Sequence, residues 1–460
     1  MPVTSDLERV LIERYRSPTA LLRLGLIDSL SERRGFFRYG PRITCYGRFA
    51  QGTGTSNSQY DAAEDSVVRD SVPFLSFDPS EVVDNLRMER YVPAESVIRS
   101  TAKKAYYSTR PLLPFSFRKQ IQKFQVRNWE KISFPSWPLD TTVEDLCEAL
   151  LLDILRASGH GRIPFIWFWP EGKSSCFVMT HDVESSIGKD ASSALMDIDD
   201  SFGIKASFQV VPQGRYAVTP EYLDSIRNRG FEIGVQDFNH DGKLFDERSE
   251  FLIRTALINQ RLRDWGAKGF RCGVLYRKPD WYDAFEFSFD MSVPNVAHLD
   301  PQRGGCCTVM PYFIGNILEL PLTTTQDYTL VHLLKQRSID LWRRQIGLIL
   351  SKNGFASFIV HPDYLDQGEI RSLYKELLGY IKELKTTANI WCTLPSDVDD
   401  WWRARNKMTL IPDGSEWKIL GQGSERACVA YARNIDGKLA YELHSASSLT
   451  RPTARPATQS

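Results

Sequence analysis

The chain has 460 residues, with 57 Lys+Arg against 57 Asp+Glu, a formal net charge of zero and 42% hydrophobic content. That balance excludes a dedicated nucleic-acid binder, whose footprint is basic, and 12% aromatic content with 11 Trp excludes global disorder. The length fits a soluble globular protein of two or three domains, each with its own core.

No run approaches the ~18 uninterrupted apolar residues of a spanning helix. The opening Met-Pro-Val-Thr-Ser-Asp-Leu-Glu-Arg reaches acidic residues before any apolar run, unlike a signal peptide. A cytoplasmic location is therefore expected. The eight Cys contain no Cys-x-x-Cys and read as reduced, buried thiols rather than a disulfide scaffold or a zinc ribbon.

Residues 1–172 form an irregular N-terminal accessory region. Within it, 52–66 reads as an exposed loop. The stretch 99–131 holds nine Lys/Arg against the single acid Glu130. It is either a solvated linker or a docking segment for an anionic surface, with Tyr106, Tyr107, Phe115 and Phe117 adding apolar contact; the second choice places the protein at the inner membrane face. Asp140-Thr-Thr-Val-Glu-Asp then predicts a helix start, followed by the apolar run Leu146–Leu155.

From 173 to 405 strand and helix patterns alternate. Predicted strands are 176–179, 206–211, 231–235, 269–272, 317–320, 356–360 and 390–393. Predicted helices are 192–202, 220–228, 249–265, 339–351, 370–384 and 396–406. Asn-Arg-Gly (228–230) and Lys-Asn-Gly (352–354) are helix exits. About seven β/α units fit a doubly wound sheet or a closed barrel. Four short strand patterns from 406 to 447 predict a small all-β appendage, and 448–460 reads as a disordered tail.

The polar residues just after the predicted strands carry the chemistry, because β/α folds build their sites on that edge. They are His181, Asp182 and Glu184; Gln236 and His240; Arg271; Asp290; and His361. Asp182 and Glu184, two apart on an extended strand, share a side. Gln236 and His240, four apart, share a face on a helical turn. A carboxylate, an imidazole and an amide oxygen make a plausible divalent-cation site, and such an ion activates water and polarises a carbonyl. Arg271 would keep a neighbouring Asp ionised, and His361 would give a proton to a leaving amine. His181 and Asp290, on the same edge, are expected to face substrate. The residue types point to metal-assisted hydrolysis of an amide.

Read together, Thr-His-Asp182-Val-Glu184, Gln236-Asp-Phe-Asn-His240, Gly-Phe-Arg271-Cys-Gly, Phe-Ser-Phe-Asp290 and Ser-Phe-Ile-Val-His361-Pro resemble, in order, the motifs of the polysaccharide deacetylases, the carbohydrate esterases with the nodulation-protein-B homology domain. The resemblance covers about half of the chain, from 176 to 399. It implies a deformed β/α barrel of about seven units and removal of N-acetyl groups from an amino-sugar glycan or its precursor, usually with zinc. It also implies Asp182 as base, Glu184 and His240 as metal ligands, Arg271 as the residue orienting the base, and His361 as acid. Two positions depart from the family. Glu184 replaces an Asp ligand, and Gln236 stands where the first His ligand is expected, with Asp237 as an alternative donor. Gln236 also motivates a second hypothesis, a glycan-binding or scaffold protein without turnover. Dinucleotide, P-loop and serine-hydrolase motifs are absent from the sequence.

Overall fold

The computed structural model describes residues 7–50, 60–93 and 127–444. The anion-docking stretch falls largely, and the tail wholly, outside those residues, as does most of the expected 52–66 loop.

Strand β1 (Cys176–Val183) is buried along its whole length, as in a strand covered on both faces. β2 (Ala206–Val210), β3 (Glu232–Gln236), β4 (Gly269–Arg271) and β5 (Phe289–Asp290) follow. Then come β6 (Tyr312–Ile314), β7 (Ile317–Glu319), β8 (Phe355–Ile359) and β9 (Trp391–Cys392). They make a nine-stranded sheet of order 6-7-5-4-3-2-1-8, with β9 on the start of β1. Every pair is parallel except the β6–β7 hairpin.

The sheet curls into a half-barrel with a seam beside β8. The segment after β7 lies beside β8, where Thr323 Oγ1 donates to the Phe355 carbonyl (2.9 Å) and accepts from Ser357 N (3.0 Å), and Thr324 Oγ1 donates to the Ser357 carbonyl (2.7 Å). Side-chain hydroxyls replace a ladder there. β5 and β6 are strands that the sequence pattern does not announce.

Helices α1 (Ser186–Phe202), α2 (Pro220–Arg227), α3 (Arg248–Trp265), α4 (Asp340–Ser351), α5 (Gly368–Thr387) and α6 (Pro395–Lys407) alternate with the strands. Thr219 Oγ1 caps α2 by accepting from Tyr222 N (3.3 Å). The two Gly-terminated exits differ. Gly230 has φ +74°, which its missing Cβ permits, but at the second exit Asn353 takes the left-handed turn. Gly354 is needed instead for close approach, since a Cβ there would lie 2.7 Å from Val309 Cγ2.

One core lies between sheet and helices, with Phe177, Met179, Phe208 and Phe358 against Leu195, Leu373 and Tyr374. A second joins residues from both ends of the chain, among them Tyr15, Leu150, Phe165, Trp169 and Trp401. The strand Val429–Ile435 pairs antiparallel with both Lys438–Leu443 and Ile163–Ile166, so the C-terminal strands share a sheet with the segment that precedes the barrel. No helix among the described residues is long and apolar enough to cross a membrane.

Candidate active site

β1 alternates its side chains across the sheet, and this period decides which residues reach the site. Thr180 and Asp182 point to one side, where Arg271 at the end of β4 meets both. Its Nη1 donates to Thr180 Oγ1 (2.8 Å) and to Asp182 Oδ1 (2.6 Å), while its Nε donates to the Met291 carbonyl (3.0 Å). Arg271 is fully buried, and Asp182 is only 4% exposed. A guanidinium so placed holds the carboxylate in one orientation. Gln236, at the end of β3, donates from Nε2 to the other oxygen, Asp182 Oδ2 (3.2 Å).

His181 points the opposite way. Its ring is fully buried, with Nδ1 on the Val360 carbonyl (3.0 Å) and Nε2 on Asp199 (2.9 Å), against Phe208 and Tyr374. The expected substrate contact is corrected: His181 joins sheet to helices, because one step along a strand reverses the face. Asp290 is corrected for another reason. It is fully buried, accepts from Tyr282 (2.8 Å) and Ser292 (2.6 Å), and lies beside Glu319, its register partner on β7. Burial raises the pKa of both carboxyls, that of Glu319 most. This pair is an internal polar group of the barrel wall, with no bond to the rim residues.

The remaining predicted residues meet at the rim. Glu184 Oε1 lies 2.9 Å from His240 Nε2 and 3.7 Å from His361 Nε2. His240 does not share a helical face with Gln236: residues 237–240 form a loop with positive φ at Asp237 (+54°) and His240 (+56°), which turns His240 toward Glu184. Burial opposes charge on the His240 ring, but Glu184 and Asp237 together raise its pKa above the ordinary histidine range. Glu184 itself is held through its backbone, whose N–H donates to Asp363 Oδ2 (3.0 Å), just after His361.

Sequence reasoning missed Asp327. Its Oδ1 sits 2.6 Å from His361 Nδ1, and its Oδ2 accepts from His361 N (2.8 Å). Burial opposes protonation of His361, but this carboxylate overcomes it and lifts the histidine to about 10. Asp327 ends the run Thr323-Thr-Thr-Gln-Asp, which has no periodic signal.

These residues do not fit a resident zinc ion. A catalytic zinc takes three protein ligands from His, Cys and carboxylate. Among the described residues no three such side chains come together around one point. Glu184 and His240 supply two donors, and the amide that would add a third turns its N–H to Asp182, leaving Gln236 Oε1 buried without a partner. Asp237 Oδ2 is likewise buried and unpaired, and it faces Gly273 next to the His240 ring.

Fold and site together define a curled α/β sheet whose rim carries an arginine-held carboxylate and a carboxylate-held histidine. No family model matches the chain, and no curated protein does. Solved structures align with about half of the chain. A protein of Mycobacterium smegmatis assigned as a polysaccharide deacetylase is 16% identical, with TM-score 0.42, over 55% of this chain and 98% of its own. PuuE allantoinase is 11% identical, with TM-score 0.41, over 51% of this chain and 92% of its own. The peptidoglycan deacetylase PdaC of Bacillus subtilis is 12% identical, with TM-score 0.33, over 50% and 93%. These similarities are low, and the chemistry below rests on the site's own geometry.

Proposed function

We propose that the chain is a hydrolase of non-peptide carbon–nitrogen amide bonds, a divergent relative of the polysaccharide deacetylases that removes N-acetyl groups from an amino-sugar glycan or glycan precursor. The observation that carries this proposal is the pairing of two oppositely prepared groups on one rim: Asp182, fixed by Arg271, and His361, fixed by Asp327. Asp182 takes a proton from the water that attacks the amide carbonyl. Arg271 and Gln236 occupy one lone pair on each oxygen and orient the carboxylate for that transfer. His361, kept protonated by Asp327, gives its proton to the departing amine nitrogen, so that the amine leaves neutral rather than as an anion. No step is routed through a metal, because among the described residues no three His, Cys or carboxylate side chains converge on one point.

The test is acetate release from N-acetylated oligosaccharides by the full chain, before and after chelation and with zinc or cobalt added back, beside the metal content of the purified protein. Release that survives chelation supports this mechanism. Release only with added metal restores the metal-assisted form, and no release under any condition favours a glycan binder without turnover.

A further inference from the structure

We infer that His181 is a positioning residue for the acid: held by Asp199, its imidazole grips the Val360 carbonyl and so fixes where His361 leaves the sheet beside Asp182. The inference rests on the deacetylation proposed above and adds the part that sets acid against base.

His181 lies in a fully buried site between Phe208 of β2, at 4.9 Å, and Tyr374 of α5, edge-on at 5.9 Å. An apolar ring would fill that space, whereas an imidazole costs free energy there unless its nitrogens are bonded. Both are. Nδ1 lies 3.0 Å from the Val360 carbonyl, which can only accept, so Nδ1 carries a hydrogen and donates it. Nε2 lies 2.9 Å from Asp199 Oδ2 on α1, and the other Asp199 oxygen accepts from the Tyr374 hydroxyl. Asp199 and Tyr374 are buried too, so the far end of the ring is anchored to two helices.

The near end holds the backbone just before the acid. β8 runs in register with β1 up to Ile359 opposite Thr180. The Val360 N–H still donates to the Thr180 carbonyl (3.0 Å), but Pro362, the next donor position, has no N–H. Two side chains take over from the ladder there. The peptide group joining Val360 to His361 is held at both ends: its carbonyl accepts from His181, and its N–H donates to Asp327 Oδ2 (2.8 Å). His181 directly precedes Asp182 in the chain, so one ring links the peptide before the acid to the residue before the base. Asp182 has its own supports in Arg271 and Gln236, and loss of the His181 bonds should therefore loosen the acid and spare the base.

The test is His181→Phe, which keeps a ring in place and drops both bonds. It is assayed on an N-acetylated oligosaccharide, whose amine needs a proton to leave, and on 4-nitrophenyl acetate, whose phenolate does not. The expected result is a loss of about a hundredfold in kcat on the amide, with KM unchanged, the scale of a small misplacement of a reacting group, and no loss on the ester. Losses of equal size on both substrates, as general disruption would give, or no loss on the amide, overturn the proposal. If H181F fails to fold, the double variant His181→Phe with Asp199→Leu, which removes the stranded carboxyl, is read in the same way. If the wild type leaves the amide intact, the deacetylation reading falls. In that case, or if the wild type spares the ester, denaturation midpoints decide the placement. H181F and Asp327→Asn together should then lower the midpoint by less than the sum of their separate shifts, because both act on one peptide group; additive shifts overturn the proposal.

Discussion

At the scale of residues, the pair His361–Asp327 sets how the site responds to pH. An isolated histidine loses its proton near 6.5, but Asp327 holds His361 charged up to about 10. An acid must carry its proton to act, so the rate should stay level through neutrality and fall as pH rises through about 10. The sign for stability is the same: the pairing contributes fully below about 6.5 and is lost as pH rises through about 10. In Asp327→Asn the negative neighbour is gone, and the falling limb of the pH–rate profile should move down toward the ordinary histidine range; an unmoved limb assigns it to another group. Gln236 gives a second prediction. Gln236→His replaces a neutral amide by an imidazole at the end of β3, on the rim that carries Glu184 and His240, and is expected to add a third ligand to those two. Zinc retained after desalting, measured by metal analysis, should rise from little in the wild type to about one ion per chain. No gain would put this side chain outside reach of those two.

At the scale of elements, two rim loops are tied to each other by Asp363, which accepts from Glu184 N and from the Ser185 hydroxyl. Gly188, in the first turn of α1, leaves room for that carboxylate, since a Cβ there would fall 2.1 Å from Asp363 Oδ2. Asp363→Ala should cost about 1 kcal/mol, the scale of losing hydrogen bonds to half-buried donors that water can still reach, read as a lower midpoint in denaturant, and it should release Glu184 from His240. The strands and the residues after them are legible in the chain because parallel strands read as short apolar runs ended by polar residues, and because helices alternate with them at a different period. The facing of each side chain is legible only where the strand's extent is known. His181 follows the strand period onto the helix side, while His240 escapes any period because positive φ at two residues of its loop sets its direction. Asp327 and the threonine seam are not legible, since they depend on contacts between segments more than thirty residues apart in sequence.

At the scale of the whole molecule, the ends of the chain are joined on one core. Tyr15 and Tyr441 share a hydrogen bond of 2.8 Å. Arg405, almost fully buried at the end of α6, donates to the carbonyls of Arg14 (2.7 Å), Ile166 (2.7 Å) and Trp167 (2.9 Å). One guanidinium thus satisfies backbone groups of the N-terminal region and of the strand that the C-terminal strands extend. Arg405→Ala leaves those carbonyls unpaired and should destabilise the protein by about 3 kcal/mol or more, with loss of the N-terminal and barrel signals together in one transition; an unaltered midpoint would contradict this coupling. Composition alone reads the four C-terminal strands as a small separate appendage, because sequence distance hides the pairing of 429–432 with 163–166.

The most direct measurement of the central claim is the turnover number for acetate release from an N-acetylated oligosaccharide by the wild type, Asp182→Asn and His361→Ala, each shown to be folded by circular dichroism. A base and an acid working on opposite ends of one amide predict losses of roughly 10²–10⁴ in turnover for each variant, with binding of the oligosaccharide little altered. Turnover near the wild-type level in folded D182N would contradict it.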